Sequence, residues 1–99
     1  VIGNSSSGLL EVPTLKTATI NIGDRQKGRV QSGSVINCSC DYLQIKKALK
    51  KIYSKDFKHD IKKFKNPYDF GNASNNIFKI ISKKKLPENT KKQFFDLKF

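Results

Sequence analysis

The chain has 99 residues, 36% of them hydrophobic, and 20 Lys and Arg against 8 Asp and Glu give a formal charge of +12. That length admits one small domain with a modest core of its own. No run approaches the roughly 20 apolar residues that span a bilayer, and no secretory signal pattern is present.

In chain order, Val1 and Ile2 read as the end of a strand, so the chain reads as part of something longer. Asn4 to Gly8, NSSSG, is a tight polar loop leading into a short helix over GLLEVPTL. Pro13 limits or kinks that helix, because it has no N–H and its ring crowds the preceding turn. Thr17 to Ile22, TATINI, alternates β-branched with small or polar residues and ends at Gly23, the pattern of a short strand. GDRQKGRVQSG is polar and punctuated by glycine, hence a loop, and Ser34 to Cys38, SVINC, reads as a further strand.

Asp41 is placed to cap a helix over YLQIKKALKKIYS, where Leu43, Ile45, Ala48, Leu49 and Ile52 recur at helical spacing. That stripe needs a surface to cover, and the strands supply one. The remaining face carries Lys46, Lys47, Lys50 and Lys51, with Lys55 and Lys58 just beyond. Charge of this kind raises a rival reading, a small basic domain that binds nucleic acid or an anionic surface. Three features oppose it. Only Arg25 and Arg29 offer the guanidinium fork suited to bases and phosphates. The lysines are spread around the helix rather than gathered in a stripe, and no aromatic platform accompanies them. A solvated lysine face is the simpler reading.

Cys38 and Cys40 are two apart, on one face if both lie in a strand and too close for an easy mutual disulfide. His59 is the only histidine, so zinc lacks partners at ligand spacing. Reduced thiols and a surface histidine follow. NPYDFG is turn chemistry, with Gly71 able to take positive φ. A second helix is predicted from about Ala73, NASNNIFKIISKK, with Ile77, Phe78, Ile80 and Ile81 facing inward. After Pro87, ENTKKQFFDLKF adds a last helical turn or two. The alternation of strands and helices is an α/β pattern with parallel strands.

In an open parallel sheet, ligands bind beyond the carboxyl ends of the strands, where NSSSG and GDRQKGR both fall. A helix starting near Ser6 or Ser7 offers unpaired N–H groups, the serines add hydroxyls, and Gly8 lets a ligand approach the backbone. Glu11 lies a turn further on; it could not sit against phosphate without repulsion, but it could accept hydrogen bonds from a ribose diol just past it. Arg25 or Arg29 adds a cation. Together they suit a nucleoside diphosphate. Taken singly, each has a plainer reading: serine as a cap worth ~1 kcal/mol, Glu11 as a complement to the helix dipole, the arginines as solvated. Neither GxxxxGK[ST] nor GxGxxG is present.

The joint string GNSSSGLLEVPTLKTATINIGDRQKGR, followed by SVINC, resembles the C-terminal part of the hydrolysing UDP-N-acetylglucosamine 2-epimerases. The likeness covers residues 1 to about 38, fades across the lysine-rich middle, and resumes at NPYDFGNASNNIFKII. There Asp69 and Phe70 stand where the family has Gly-Asp before GNA. The resemblance implies a partial Rossmann-like C-terminal lobe of a GT-B fold, short parallel strands flanked by helices. Residues 1–99 would be the last part of the UDP-binding lobe, with the upstream lobe absent.

It further implies that Ser5 and Ser6 contact the diphosphate, Glu11 the ribose hydroxyls, and that Arg25 belongs to the UDP environment. The family's reaction removes UDP across C1–C2 of UDP-N-acetylglucosamine and adds water with inversion at C2, giving N-acetylmannosamine for sialic acid or other nonulosonic acid synthesis. No catalytic residue falls in this part, His59 matching no family motif, and the 99 residues alone are expected to be inactive. The implied partners are a UDP-sugar, UDP and the N-terminal lobe, with no metal, cofactor, nucleic acid or membrane. A homo-oligomer at full length and a cytoplasmic location complete the expectation.

Overall fold

The computed structural model describes residues 1–85 and residue 91. Three parallel strands, β1 (Ile2–Gly3), β2 (Thr19–Ile22) and β3 (Val35–Cys38), form a sheet in the order β1-β2-β3. Ile2 pairs with Ile20 and Gly3 with Asn21, while Ile20 pairs with Ile36 and Asn21 with Asn37. Strand alternation therefore puts Thr19 and Asn21 on one face of central β2 and Ile20 and Ile22 on the other. Thr19, Ile20 and Asn21 are all buried, as a strand covered on both faces requires. The α/β class with parallel strands is as the sequence predicts.

The predicted helix over residues 8–15 is divided. One α-helical turn, α1 (Ser7–Leu10), ends at Glu11, and a 3-10 turn (Val12–Leu15) follows it. Pro13 is the cause: it cannot donate to Leu9, so the α pattern stops just before it. Lys16, in the left-handed region at φ 53°, ends the 3-10 turn. The first crossover lies on the Thr19 face. Thr19 Oγ1 donates to the Gly8 carbonyl at 2.9 Å, and Leu9 and Ile20 are fully buried.

Helix α2 (Tyr42–Ile52) packs against β2 and β3. Asp41 caps it as predicted, Oδ1 accepting from the amides of Leu43 and Gln44 at 3.0 Å each, an arrangement worth ~1 kcal/mol. Of the predicted stripe, Ala48 is buried and Ile45, Leu49 and Ile52 are half-buried, while Leu43, beside the cap, is exposed. A short helix the sequence reading omits, α3 (Lys55–Asp60), follows directly. Ser54 Oγ accepts from Phe57 N at 3.3 Å, and Asp56 and Lys58 sit at the ends suited to the dipole. Its one buried side chain, Phe57, meets Phe64 edge-on with centroids 6.2 Å apart. His59 is exposed, as expected.

Helix α4 (Ala73–Lys83) forms where predicted, but it buries no residue. Ile77, Phe78, Ile80 and Ile81, expected to face inward, are 57–71% exposed. Gly71 at φ 66° and Asn72 at φ 51° turn the chain before the helix, and residues 68–85 are exposed throughout. Helical periodicity identifies a face that suits burial and says nothing of what covers it. The expected helical turns in ENTKKQFFDLKF lie, Lys91 apart, outside the described residues.

Candidate functional site

The two loops singled out in the sequence both leave the carboxyl ends of strands, β1 and β2, which are neighbours in the sheet. The second loop opens with Gly23 at φ 77°, whose amide donates to the Cys38 carbonyl at 2.9 Å. It then folds through turns in which Lys27 N donates to Asp24 O at 2.9 Å and Arg29 N to Gln26 O at 3.3 Å. Gln26 is the joint between the loops. Its side chain is 2% exposed, and Nε2 donates to the Asn4 carbonyl at 2.8 Å. This bond fixes the backbone just ahead of Ser5 and Ser6 against the segment that carries Arg25.

Ser5 Oγ lies 3.2 Å from Ser7 Oγ and 3.4 Å from Ser7 N. Ser6 begins α1 at φ −63°, ψ −26°, and its hydroxyl caps no amide, so the plain capping role does not apply to it. Its carbonyl accepts from Leu9 N at 2.9 Å and Leu10 N at 3.0 Å. Since α1 has four residues, local N–H groups and hydroxyls, not a long helix dipole, are what this loop offers an anion.

Glu11 stands where α1 passes into the 3-10 turn. Its amide donates to Ser7 O at 3.0 Å and its carbonyl accepts from Thr14 N at 3.1 Å. The side chain is exposed and lines a groove of 380 Å³ with Leu10, Thr14, Asn66, Tyr68 and Asp69. At the helical rise of about 1.5 Å per residue, Glu11 lies roughly 7 Å along the segment from Ser6. Arg25 is exposed on its loop. Arg29 lines a separate cavity of 380 Å³ above the Asn21 and Asn37 face of the sheet. There Asn21 Nδ2 donates to Asn37 Oδ1 at 2.8 Å and Asn37 Nδ2 to Gln31 Oε1 at 2.7 Å, holding the returning limb of the loop on the strands.

The structure thus joins Ser5, Ser6 and the Arg25 loop through Gln26, and sets Glu11 at the opposite end of α1 beside the NPYDFG turn. Gln26 carries no signal in a loop of charged residues, and Asn66 reads in sequence as turn chemistry alone. Burial, followed by the neighbouring Cys40, pushes the Cys38 thiol up from its ordinary range. Both cysteines are free thiols. Among the described residues no cluster of His, Cys, Asp and Glu could hold a metal ion, and no helix is long and apolar enough to cross a membrane.

The profile of a family described as UDP-N-acetylglucosamine 2-epimerase matches residues 1–82. The chain is 48% identical over 81 residues to the Polysialic acid biosynthesis protein P7 of Escherichia coli, covering 82% of this chain and 21% of that protein. It is 48% identical over 60 residues to a GDP/UDP-N,N'-diacetylbacillosamine 2-epimerase (hydrolyzing) of Campylobacter jejuni, covering 61% and 15%. To a UDP-N,N'-diacetylbacillosamine 2-epimerase (hydrolyzing) of Legionella pneumophila it is 30% identical over 81 residues, covering 82% and 20%. The match spans 15–21% of the length of these curated relatives.

Proposed function

The chain belongs to the UDP-N-acetylglucosamine 2-epimerase family, and from that premise we propose that it supplies UDP contacts to a hydrolysing 2-epimerase. In this reading the full-length protein converts UDP-N-acetylglucosamine, or a related UDP-linked diacetamido sugar, to the free 2-epimer and UDP. Residues 1–99 belong to the C-terminal Rossmann-like lobe of a two-lobe GT-B enzyme. Ser5 and Ser6 contact the diphosphate, Glu11 the ribose hydroxyls, and Arg25 adds positive charge to the UDP environment.

The observation that carries the reading is the Gln26–Asn4 bond, which sets the serine loop and the arginine loop side by side at the carboxyl edge of the sheet. Loss of UDP across C1–C2 puts developing charge on the departing diphosphate. Hydroxyls and backbone amides held in place before the reaction stabilise that charge with little reorganisation, and the Arg25 guanidinium adds positive charge from the adjoining loop. Glu11, a carboxylate, is kept off the phosphates by its place one turn further on and is free to accept from a diol. The proton chemistry at C2 needs acid and base groups, which this reading assigns to the rest of the longer protein, His59 lying in no family motif. The same reading places the enzyme in the cytoplasm and makes the full-length protein a homo-oligomer, with the UDP-sugar and UDP as its ligands.

Steady-state kinetics of the full-length protein test the assignment. Glu11→Ala and Ser6→Ala should each raise KM or lower kcat for the UDP-sugar, and the 99 residues alone should release no product. Unchanged kinetics in both variants would overturn the proposed UDP contacts.

A further inference from the structure

Glu11 sits at the junction of two single turns, and short turns do not hold their own geometry in water. Something else has to fix it. The carbonyl just before it, on Leu10, lacks its local partner: the residue three further on is Pro13, which has no N–H, and Thr14 N is taken by Glu11 O at 3.1 Å. The open position is filled from far along the chain. Asn66 Nδ2 donates to Leu10 O at 2.8 Å and to Thr14 Oγ1 at 2.7 Å, and Thr14 Oγ1 in turn donates to Asp69 Oδ2 at 3.0 Å. One carboxamide thus grips the backbone on the near side of Glu11 and the side chain three residues beyond it.

The grip is itself anchored. Asn66 Oδ1 accepts from Tyr68 N at 3.0 Å and Asn66 O from Asp69 N at 3.2 Å. The Tyr68 hydroxyl donates to the Val30 carbonyl at 2.9 Å, on the loop that carries Arg25 and Arg29. Asp69 Oδ1 accepts from Gly71 N at 3.1 Å.

We propose that Asn66 is a positioning residue for Glu11: the turn NPYDFG clamps the Leu10–Thr14 segment so that the Glu11 carboxylate meets the ribose diol. This rests on the ribose-contact reading of Glu11 given above. Asp69 adds a second tie to the clamp through Thr14.

The test is a double-mutant cycle in the full-length enzyme, with UDP-sugar kinetics as readout. Asn66→Asp keeps the shape of the side chain but removes both donors and faces the Leu10 carbonyl with a carboxylate. The expected result is a KM raised about tenfold with kcat little changed, the mark of lost uniform binding; tenfold corresponds to about 1.4 kcal/mol. Glu11→Ala should have a similar effect, and Asn66→Asp should add nothing to it. Thr14→Val, which spares the Leu10 bond, should shift KM in the same direction by less, and it decides the matter if Asn66→Asp does not fold. A KM raised by Glu11→Ala but unmoved by Asn66→Asp or Thr14→Val would overturn the clamp alone, as would losses that simply add. A KM unmoved by Glu11→Ala would overturn the ribose contact and the clamp together.

Discussion

Replacing Gly8 by alanine should destabilise the protein, and Thr19→Ser should abolish that cost. Gly8 is buried on the first turn of α1 at ordinary helical φ, so alanine suits its backbone and by itself would gain about 0.5–1 kcal/mol. Space decides against it. A Cβ at Gly8 would stand 2.7 Å from Thr19 Cγ2, well inside normal contact. Thr19 cannot swing aside: it is 2% exposed, and its Oγ1 donates to the Gly8 carbonyl at 2.9 Å. Overpacking of this kind costs about 1–3 kcal/mol, so after the helical gain of about 0.5–1 kcal/mol the net loss lies between about 0 and 2.5 kcal/mol, centred near 1. Thermal unfolding of the full-length protein reads it, at roughly 2–4 °C per kcal/mol for a domain of 150–250 residues.

Thr19→Ser keeps the hydroxyl and removes Cγ2, at a cost of about 0.8 kcal/mol for one buried carbon. In that background Gly8→Ala should become neutral or stabilising. The same Tm loss in both backgrounds would show that the close approach of α1 to β2 is not what requires glycine here.

Two further outcomes follow from the surface. The lysine-rich α2–α3 face, whose Lys63 pairs with Asp60 at 3.2 Å, should give no salt-sensitive binding to random-sequence DNA at physiological ionic strength; binding lost on neutralising Lys46 to Lys65 would restore the nucleic-acid reading. The thiolate is the form that alkylates, and the half-buried Cys38 thiol holds its proton to higher pH than an ordinary cysteine. Iodoacetamide at mildly alkaline pH should therefore label exposed Cys40 before Cys38, with the gap narrowing as pH rises; equal rates, followed by peptide mass spectrometry, would refute the ordering.

What was legible in the sequence divides along the range of the interactions. Asp41 as a cap, the break at Pro13 and the positive φ of Gly71 each depend on a residue and its near neighbours, and each is present. The α3 turn was legible by the same rule, since Ser54 caps it and Asp56 follows, but a run of lysines hid the pattern. Burial of α4 was not legible, because an apolar stripe names no partner. The site divides in the same way. Its serines, Glu11 and Arg25 stand out as residue types in a string, whereas the groups that place them, Gln26 and Asn66, act on backbone carbonyls 22 and 56 residues away. Pro13 supplies half of that second link in plain sight. A proline three residues after Leu10 removes one local donor from its carbonyl, and only the structure shows that the other, Thr14 N, is turned to Glu11 O. Only the fold says that the amide of Asn66 takes their place.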